Sequence, residues 1–210
     1  MKKSVPPRLL WAVTLVLGAG LTGFLAWRML LTAPHRSDLP LTETHRTNLV
    51  LHAGHWQLRG TTNNFNGLLL DTYDDGSRKS LSLVSNGLLQ GVSRGWHTNG
   101  QQQVEEHFVA GTSHGLRTKW HPNGRKLSEI TVVDGKLHGT FRRWDDQGRL
   151  MEEIEMKEGQ PDGISKSYFP SGFVKAEVVL RNGQVVSRQS WTDQELQAAT
   201  TSQPDNLSTR

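Results

Sequence analysis

The chain contains no cysteine. Disulfide staples, thiolate metal sites and a lipid carried on a cysteine are therefore excluded. Hydrophobic residues make up only 35%, little for a compact globule. Between residues 67 and 184 no segment has the 3.6-residue apolar period of an amphipathic helix. No glycine-rich phosphate loop, nucleophile elbow or Ser/His/Asp grouping is present. Nor is there a basic surface. The formal charge of +4 comes from Lys2, Lys3, Arg8 and Arg28, which lie among residues 1–33 with no acid. Without these four, 20 of the 24 basic residues remain against 20 acids. A nucleic-acid binder needs a basic stripe to neutralise phosphates, so that class is set aside. No cofactor and no enzymatic activity are expected.

What the sequence does have is a ruler of glycines. One series runs Gly67, Gly91, Gly115, Gly139, Gly163. A second runs Gly76, Gly100, Gly124, Gly148, Gly172, and a third Gly87, Gly111, Gly135, Gly159, Gly183. Every step is 24 residues. Self-similarity at such a period marks an array in which each unit buries surface against its neighbours.

The N-terminus reads differently. Leu9 to Trp27 is free of charge, and at about 1.5 Å per helical residue it matches a bilayer's hydrocarbon core. Trp11 and Trp27 suit the interfaces, and Arg28 can snorkel. The run exceeds a signal-peptide core and no small-residue cleavage site follows. The expectation is a short cytoplasmic segment at 1–8 and an uncleaved single-pass anchor at 9–33. The remainder would then face outside the cytoplasm from the inner membrane; cleavage would make it periplasmic or secreted. Residues 34–47 read as a polar linker and 48–66 as a capping hairpin around Ala53-Gly54. Residues 67–191 hold the repeats. A capping-box pattern at Thr192 to Glu195 starts a short helix, ahead of a disordered tail to residue 210.

Each repeat carries two turns. Tyr73-Asp74-Asp75-Gly76, His97-Thr98-Asn99-Gly100, His121-Pro122-Asn123-Gly124, Asp145-Asp146-Gln147-Gly148 and Phe169-Pro170-Ser171-Gly172 suit type I turns closing on a left-handed glycine. The third glycine leads a second link, as in Asp134-Gly135. The unit is two short strands and two turns, and the fold class is all-β, an antiparallel meander of five hairpin repeats. With His121 and Arg125 closing the loop, simple alternation puts Trp120 on a face with Ser128, Ile130 and Val132. The same frame groups Trp96 with Val104 and Phe108, Trp144 with Leu150, Ile154 and Met156, and Tyr168 with Val174, Ala176, Val178 and Leu180. Glu105, Glu129, Glu153 and Glu177 fall on the other face, with Arg117 across from Glu129 and Lys119 and Arg143 within diagonal reach.

Several chemistries fail on spacing. Equivalent glutamates are two strands apart, about 10 Å, too far for a retaining glycosidase pair and at the limit for an inverting one. His97 and His121, or His114 and His138, are as far apart, whereas one metal needs its ligands at about 2.1 Å. No catalytic or metal site is assigned, and these histidines read as solvent-facing. The candidate binding face is the stripe Trp96, Trp120, Trp144, Tyr168, with Phe108, Ile130 and Ile154. A single-layer sheet has no second layer to cover an apolar face, so the sheet curls, its ends fold back, or a partner binds.

Gly115, Trp120, Asn123, Gly124 and Glu129, with Gly91, Trp96, Asn99, Gly100 and Gly139, Trp144, Gly148, Glu153, spell G-x4-W-x-x-N-G-x4-E. With Gly163 and Gly172 continuing it, the unit resembles the MORN-variant repeat over residues 67–184. The resemblance implies a β-hairpin array. Bacterial members are often filed as antitoxin components of toxin–antitoxin systems, and other MORN proteins go with membranes, phospholipids and scaffolding. The sequence thus leads to a membrane-anchored array that binds another protein in the cell envelope; the alternatives are an antitoxin-like role and the binding or hydrolysis of cell-wall glycan, with a glycan or lipid as the alternative partner.

Overall fold

The computed structural model describes residues 41–194. The expected membrane span at 9–33 and the tail beyond residue 194 lie outside them. Among the described residues no helix is long and apolar enough to cross a membrane. The chain divides into two units at Leu41 and Thr42, and the strands below belong to the second.

It is built from fifteen strands. These are β1 (Glu43–His45), β2 (Leu49–His52), β3 (His55–Leu58), β4 (Gly67–Thr72), β5 (Arg78–Ser85), β6 (Leu88–Trp96), β7 (Gln102–Val109) and β8 (Thr112–Ser113). They continue as β9 (Gly115–Trp120), β10 (Lys126–Val133), β11 (Lys136–Trp144), β12 (Leu150–Lys157), β13 (Gln160–Tyr168), β14 (Val174–Arg181) and β15 (Gln184–Ser190). All but β2 and β3 form one 13-stranded sheet, which follows chain order from β4 to β15 except that β7 is followed by β9, with β8 pairing β7 off this path. The expected antiparallel meander is what forms, because each connection is a tight turn that can join only neighbouring antiparallel strands.

The turns alternate between two kinds. At the first, the His121 N–H donates to the Arg125 carbonyl at 2.8 Å and the Gly124 N–H to the His121 carbonyl at 2.9 Å. Gly124 sits at φ 81°, a left-handed conformation that glycine adopts without a Cβ clash. At the second, two residues are left-handed in succession, as in Asp134 (φ 47°) and Gly135 (φ 79°). That is the two-residue hairpin loop whose twist matches the flanking strands.

The N-terminal end folds back. Hairpin β2–β3 lays Leu49 against Phe65, Leu69 and Val84, all at most 7% exposed, with Trp56 and Leu89 packed beside them. The Trp56 N–H donates to the Gly87 carbonyl at 2.7 Å, which ties the hairpin to the first repeat. Part of the stretch read as a linker is ordered here. β1 pairs in parallel with β4, Thr44 opposite Leu69, and a single 3-10 turn at Arg46–Asn48 leads on to β2. A three-residue strand leaves no periodic signal in sequence. At the other end Asp193 and Gln194 are helical, and the remainder of the expected short helix lies outside the described residues.

One feature overturns the expected faces. Lys126 lies opposite Trp120, but Ser128 lies opposite Lys119, so Leu127 is an extra residue. The same one-residue slip follows the first turn of every repeat, at Lys79, Gln103, Leu127, Met151 and Lys175. Such a β-bulge puts two residues against one, and alternation beyond it is inverted. Trp120 therefore shares a face with Thr118 and Glu129, not with Ile130 and Val132.

The aromatic and charged ladder as candidate functional site

Paired residues of antiparallel strands point to the same side, so the registers define each face. One face carries Trp96, Trp120, Trp144 and Tyr168, each half-buried. Beside this stripe runs a transverse row in which each residue is the cross-strand partner of the next: Arg94, Glu105, Thr118, Glu129, Arg142, Glu153, Lys166 and Glu177. The glutamates expected on the far face stand next to the aromatics. Phe108, Ile130 and Ile154, expected beside the aromatics, point to the opposite face with Val132 and Leu69. There Ile130 and Val132 are 4% and 0% exposed.

The side-chain contacts agree with this assignment. The Tyr168 hydroxyl donates to Glu153 Oε2 at 2.6 Å, and Arg142 Nε donates to Glu153 Oε1 at 2.8 Å. Lys126 Nζ reaches Glu129 at 2.6 Å and lies 5.3 Å from the centre of the Trp144 ring. Arg78 stands over Trp96 at 5.6 Å in the same way. Arg94 pairs with Glu105 at 2.7 Å and Lys166 with Glu177 at 3.5 Å. The expected partners of Arg117, Lys119 and Arg143 are corrected by the same slip. Arg117 is opposite Ile130 and pairs with Glu106, and Arg143 pairs with Glu152 at 3.0 Å, all on the opposite face. Lys119 is opposite Ser128 there.

Charge on the ladder is tuned by these contacts. The Tyr168 hydroxyl, then Arg142, hold the Glu153 carboxyl below its ordinary range. Burial, and then the bond to Glu153, push the Tyr168 hydroxyl up to about 12. Glu153 is thus an anion with both oxygens engaged, poorly suited to proton transfer. An open cleft of about 240 Å³ lies next to it, lined by Thr140, Arg142, Glu153, Glu155, Ile164 and Lys166. Gly163 lets Glu155 lie close over the main chain beside this cleft, because a Cβ there would collide with the Glu155 carboxylate. The Glu155 carboxylate accepts the Ile164 N–H at 3.0 Å instead.

The turns hold the ladder in step. Tyr73 donates its hydroxyl to the Trp96 carbonyl at 2.7 Å. His97 Nε2 and His121 Nε2 reach the Trp120 and Trp144 carbonyls at 2.9 and 3.0 Å. Asn99 and Asn123 each donate to the next turn's carbonyl, at Pro122 and Asp146, at 2.7 Å. These histidines are therefore spacers between repeats and not the solvent-facing residues expected. The signal that could have found them is their recurrence at 24 residues directly after the tryptophan. At the opposite edge Gly111, Gly135, Gly159 and Gly183 each donate their N–H to the carbonyl two residues past the glycine of the preceding link, as Gly135 does to Ser113 at 2.9 Å. Among the described residues no group of three or more His, Asp or Glu is placed to hold a metal ion.

No family model matches the chain, and no curated protein does. Two crystal structures show partial similarity. One is the S. aureus TarM G117R mutant in complex with Fondaparinux, alpha-GlcNAc-glycerol and UDP, at 16% identity and TM-score 0.31, covering 45% of this chain and 19% of that one. The other is TarM, at 14% identity and TM-score 0.33, covering 52% and 21%. The chain thus spans about a fifth of the length of either structure. At these scores the likeness assigns neither fold nor function.

Proposed function

We propose that this is a membrane-anchored protein of the MORN-variant repeat type, held by residues 9–33, whose sheet is a docking surface for another protein in the cell envelope. The observation that supports it is the ladder itself. Trp96, Trp120, Trp144 and Tyr168 stand on one open face beside a row whose charge alternates from Glu129 to Glu177, and among the described residues no second layer covers them. Aromatics that are half-buried and rigid supply contact area at low entropic cost, and a charged row beside them sets register. Steps of about 10 Å, two strands each, suit an extended segment lying across the strands. Catalysis is not favoured, since the ladder's carboxylates are spaced two strands apart and are paired with cations.

The test is the double substitution Trp120→Ala and Trp144→Ala in the full chain, followed by cross-linking in intact cells and mass spectrometry. Partners captured by the natural chain are expected to drop at least tenfold, with anchoring and expression retained. Capture that is undiminished would rule out this face. A reporter fused at the C-terminus should be active only outside the cytoplasm; cytoplasmic activity would remove the envelope reading.

A further inference from the structure

β15 is the opening strand of a unit whose second strand is absent among the described residues. Its counterpart one period earlier, β13, has β12 on one side and β14 on the other, whereas among the described residues β15 pairs only with β14. All seven residues of β15 are exposed, Val185 at 63% and Val186 at 60%. Edge strands are usually blunted by proline, several charges or a covering element. β15 has no proline and one charge, Arg188.

The hydrogen bonding shows which groups face outward. The Trp191 N–H donates to the Lys175 carbonyl at 3.0 Å. Main-chain groups alternate in direction along a strand. Gln189 and Ser187 thus face β14, and the N–H and C=O of Arg188 and Ser190 face the open edge. Of the chain that follows, the described residues Trp191 to Gln194 do not run along that edge. The Ser171 hydroxyl donates to Asp193 Oδ1 at 2.5 Å, which draws them back over the β13–β14 turn.

We propose that β15 pairs antiparallel with β15 of a second copy about a two-fold axis through Gln189, joining two sheets edge to edge. The outward groups of Arg188 and Ser190 are symmetric about Gln189. Each Arg188 then faces Ser190 of the second copy in a doubly hydrogen-bonded pair, and the two Gln189 residues face each other in the close, non-bonded pair between them. An axis through Arg188 would also join outward groups, but it sets two guanidiniums directly opposite one another, which is unfavourable. Two-fold pairing in one sheet keeps both aromatic ladders on the same side. The proposal does not depend on what the ladder binds.

Because the chain has no cysteine, Gln189→Cys introduces a single thiol. Non-bonded antiparallel pairs have Cα atoms about 4.5 Å apart, within the range a disulfide spans. The full chain carrying Gln189→Cys, purified in mild detergent and gently oxidised, should form a dimer of twice 23.5 kDa. It should do so at least tenfold faster than the chain carrying Asp74→Cys, on an exposed turn. Adding Arg188→Pro removes an outward N–H without touching the ladder to β14, and should bring the rate down to that of Asp74→Cys. Sedimentation equilibrium of the unsubstituted chain should give a dimer. A monomer there, or equal cross-linking rates for the two cysteine variants, overturns the proposal. So does a folded Arg188→Pro chain that cross-links at the undiminished rate.

Discussion

Tyr168 and Glu153 lie on neighbouring strands and share a hydrogen bond of 2.6 Å from the phenol to Oε2. The aromatic and the carboxylate of adjacent repeats thus belong to one face. That contact turns two separate stripes into a single ladder, and it makes the ladder sensitive to pH.

Removing the phenol should flatten the pH profile of stability at both ends. The Tyr168 hydroxyl is raised from 10.0 to about 12, so the folded chain holds its proton more tightly than the unfolded chain. Its contribution is complete below pH 10 and lost as pH rises through 12. Glu153 is depressed from 4.5, first by Tyr168 and then by Arg142. Its contribution is complete above the unfolded value and lost as pH falls through the folded one. In Tyr168→Phe, urea midpoints measured from pH 3 to 12 should show a smaller loss on the alkaline side and a shallower fall on the acid side. Profiles that superimpose would deny the coupling.

Two link turns use residues ill suited to them. Ala110 and Glu158 occupy left-handed positions at φ 47° and 52°, where the equivalent residue at two other links is asparagine, Asn86 and Asn182. A left-handed residue with a Cβ costs about 1–2 kcal/mol, and asparagine tolerates the conformation better. Ala110→Asn should therefore stabilise by about 0.5–1 kcal/mol, read as a higher thermal midpoint. The backbone bond from Ala110 N–H to Gln90 Oε1, 2.9 Å, is retained.

The folded-back hairpin should be a large term. Leu49 is 3% exposed within the cluster of Phe65, Leu69 and Val84. Leu49→Ala should cost about 2–5 kcal/mol. Hydrogen exchange should then rise first in β2, β3 and β4, with β12 to β14 little affected, because stability in a stacked array is shared between neighbours. Uniform loss of protection would show that the array unfolds as one unit.

The asparagine spacers should matter less. Asn123 donates to the Asp146 carbonyl at 2.7 Å and accepts the Arg125 N–H at 3.0 Å. Both bonds are exposed to water. Asn123→Ala should cost about 1 kcal/mol, measured by urea denaturation, and Asn123→Asp should recover only the bond from Arg125.

The glycine ruler, read from sequence alone, determined the number of repeats, the two kinds of turn and the antiparallel meander. Local conformation explains why. Gly124 and Gly135 sit where a Cβ is disfavoured, and short loops allow only neighbouring strands to pair. The faces were decided by the tertiary structure. Lys79, Gln103, Leu127, Met151 and Lys175 have no side-chain chemistry common to all five, so nothing in their identity marks them as bulges. Each appears only when the second strand is hydrogen-bonded to the first. One extra residue inverts all alternation beyond it, bringing Glu129 to the side of Trp120 and sending Ile130 away. The parallel pairing of Glu43–His45 with β4 was decided in the same way. It joins residues distant in sequence through main-chain bonds, which carry no signature in the side chains.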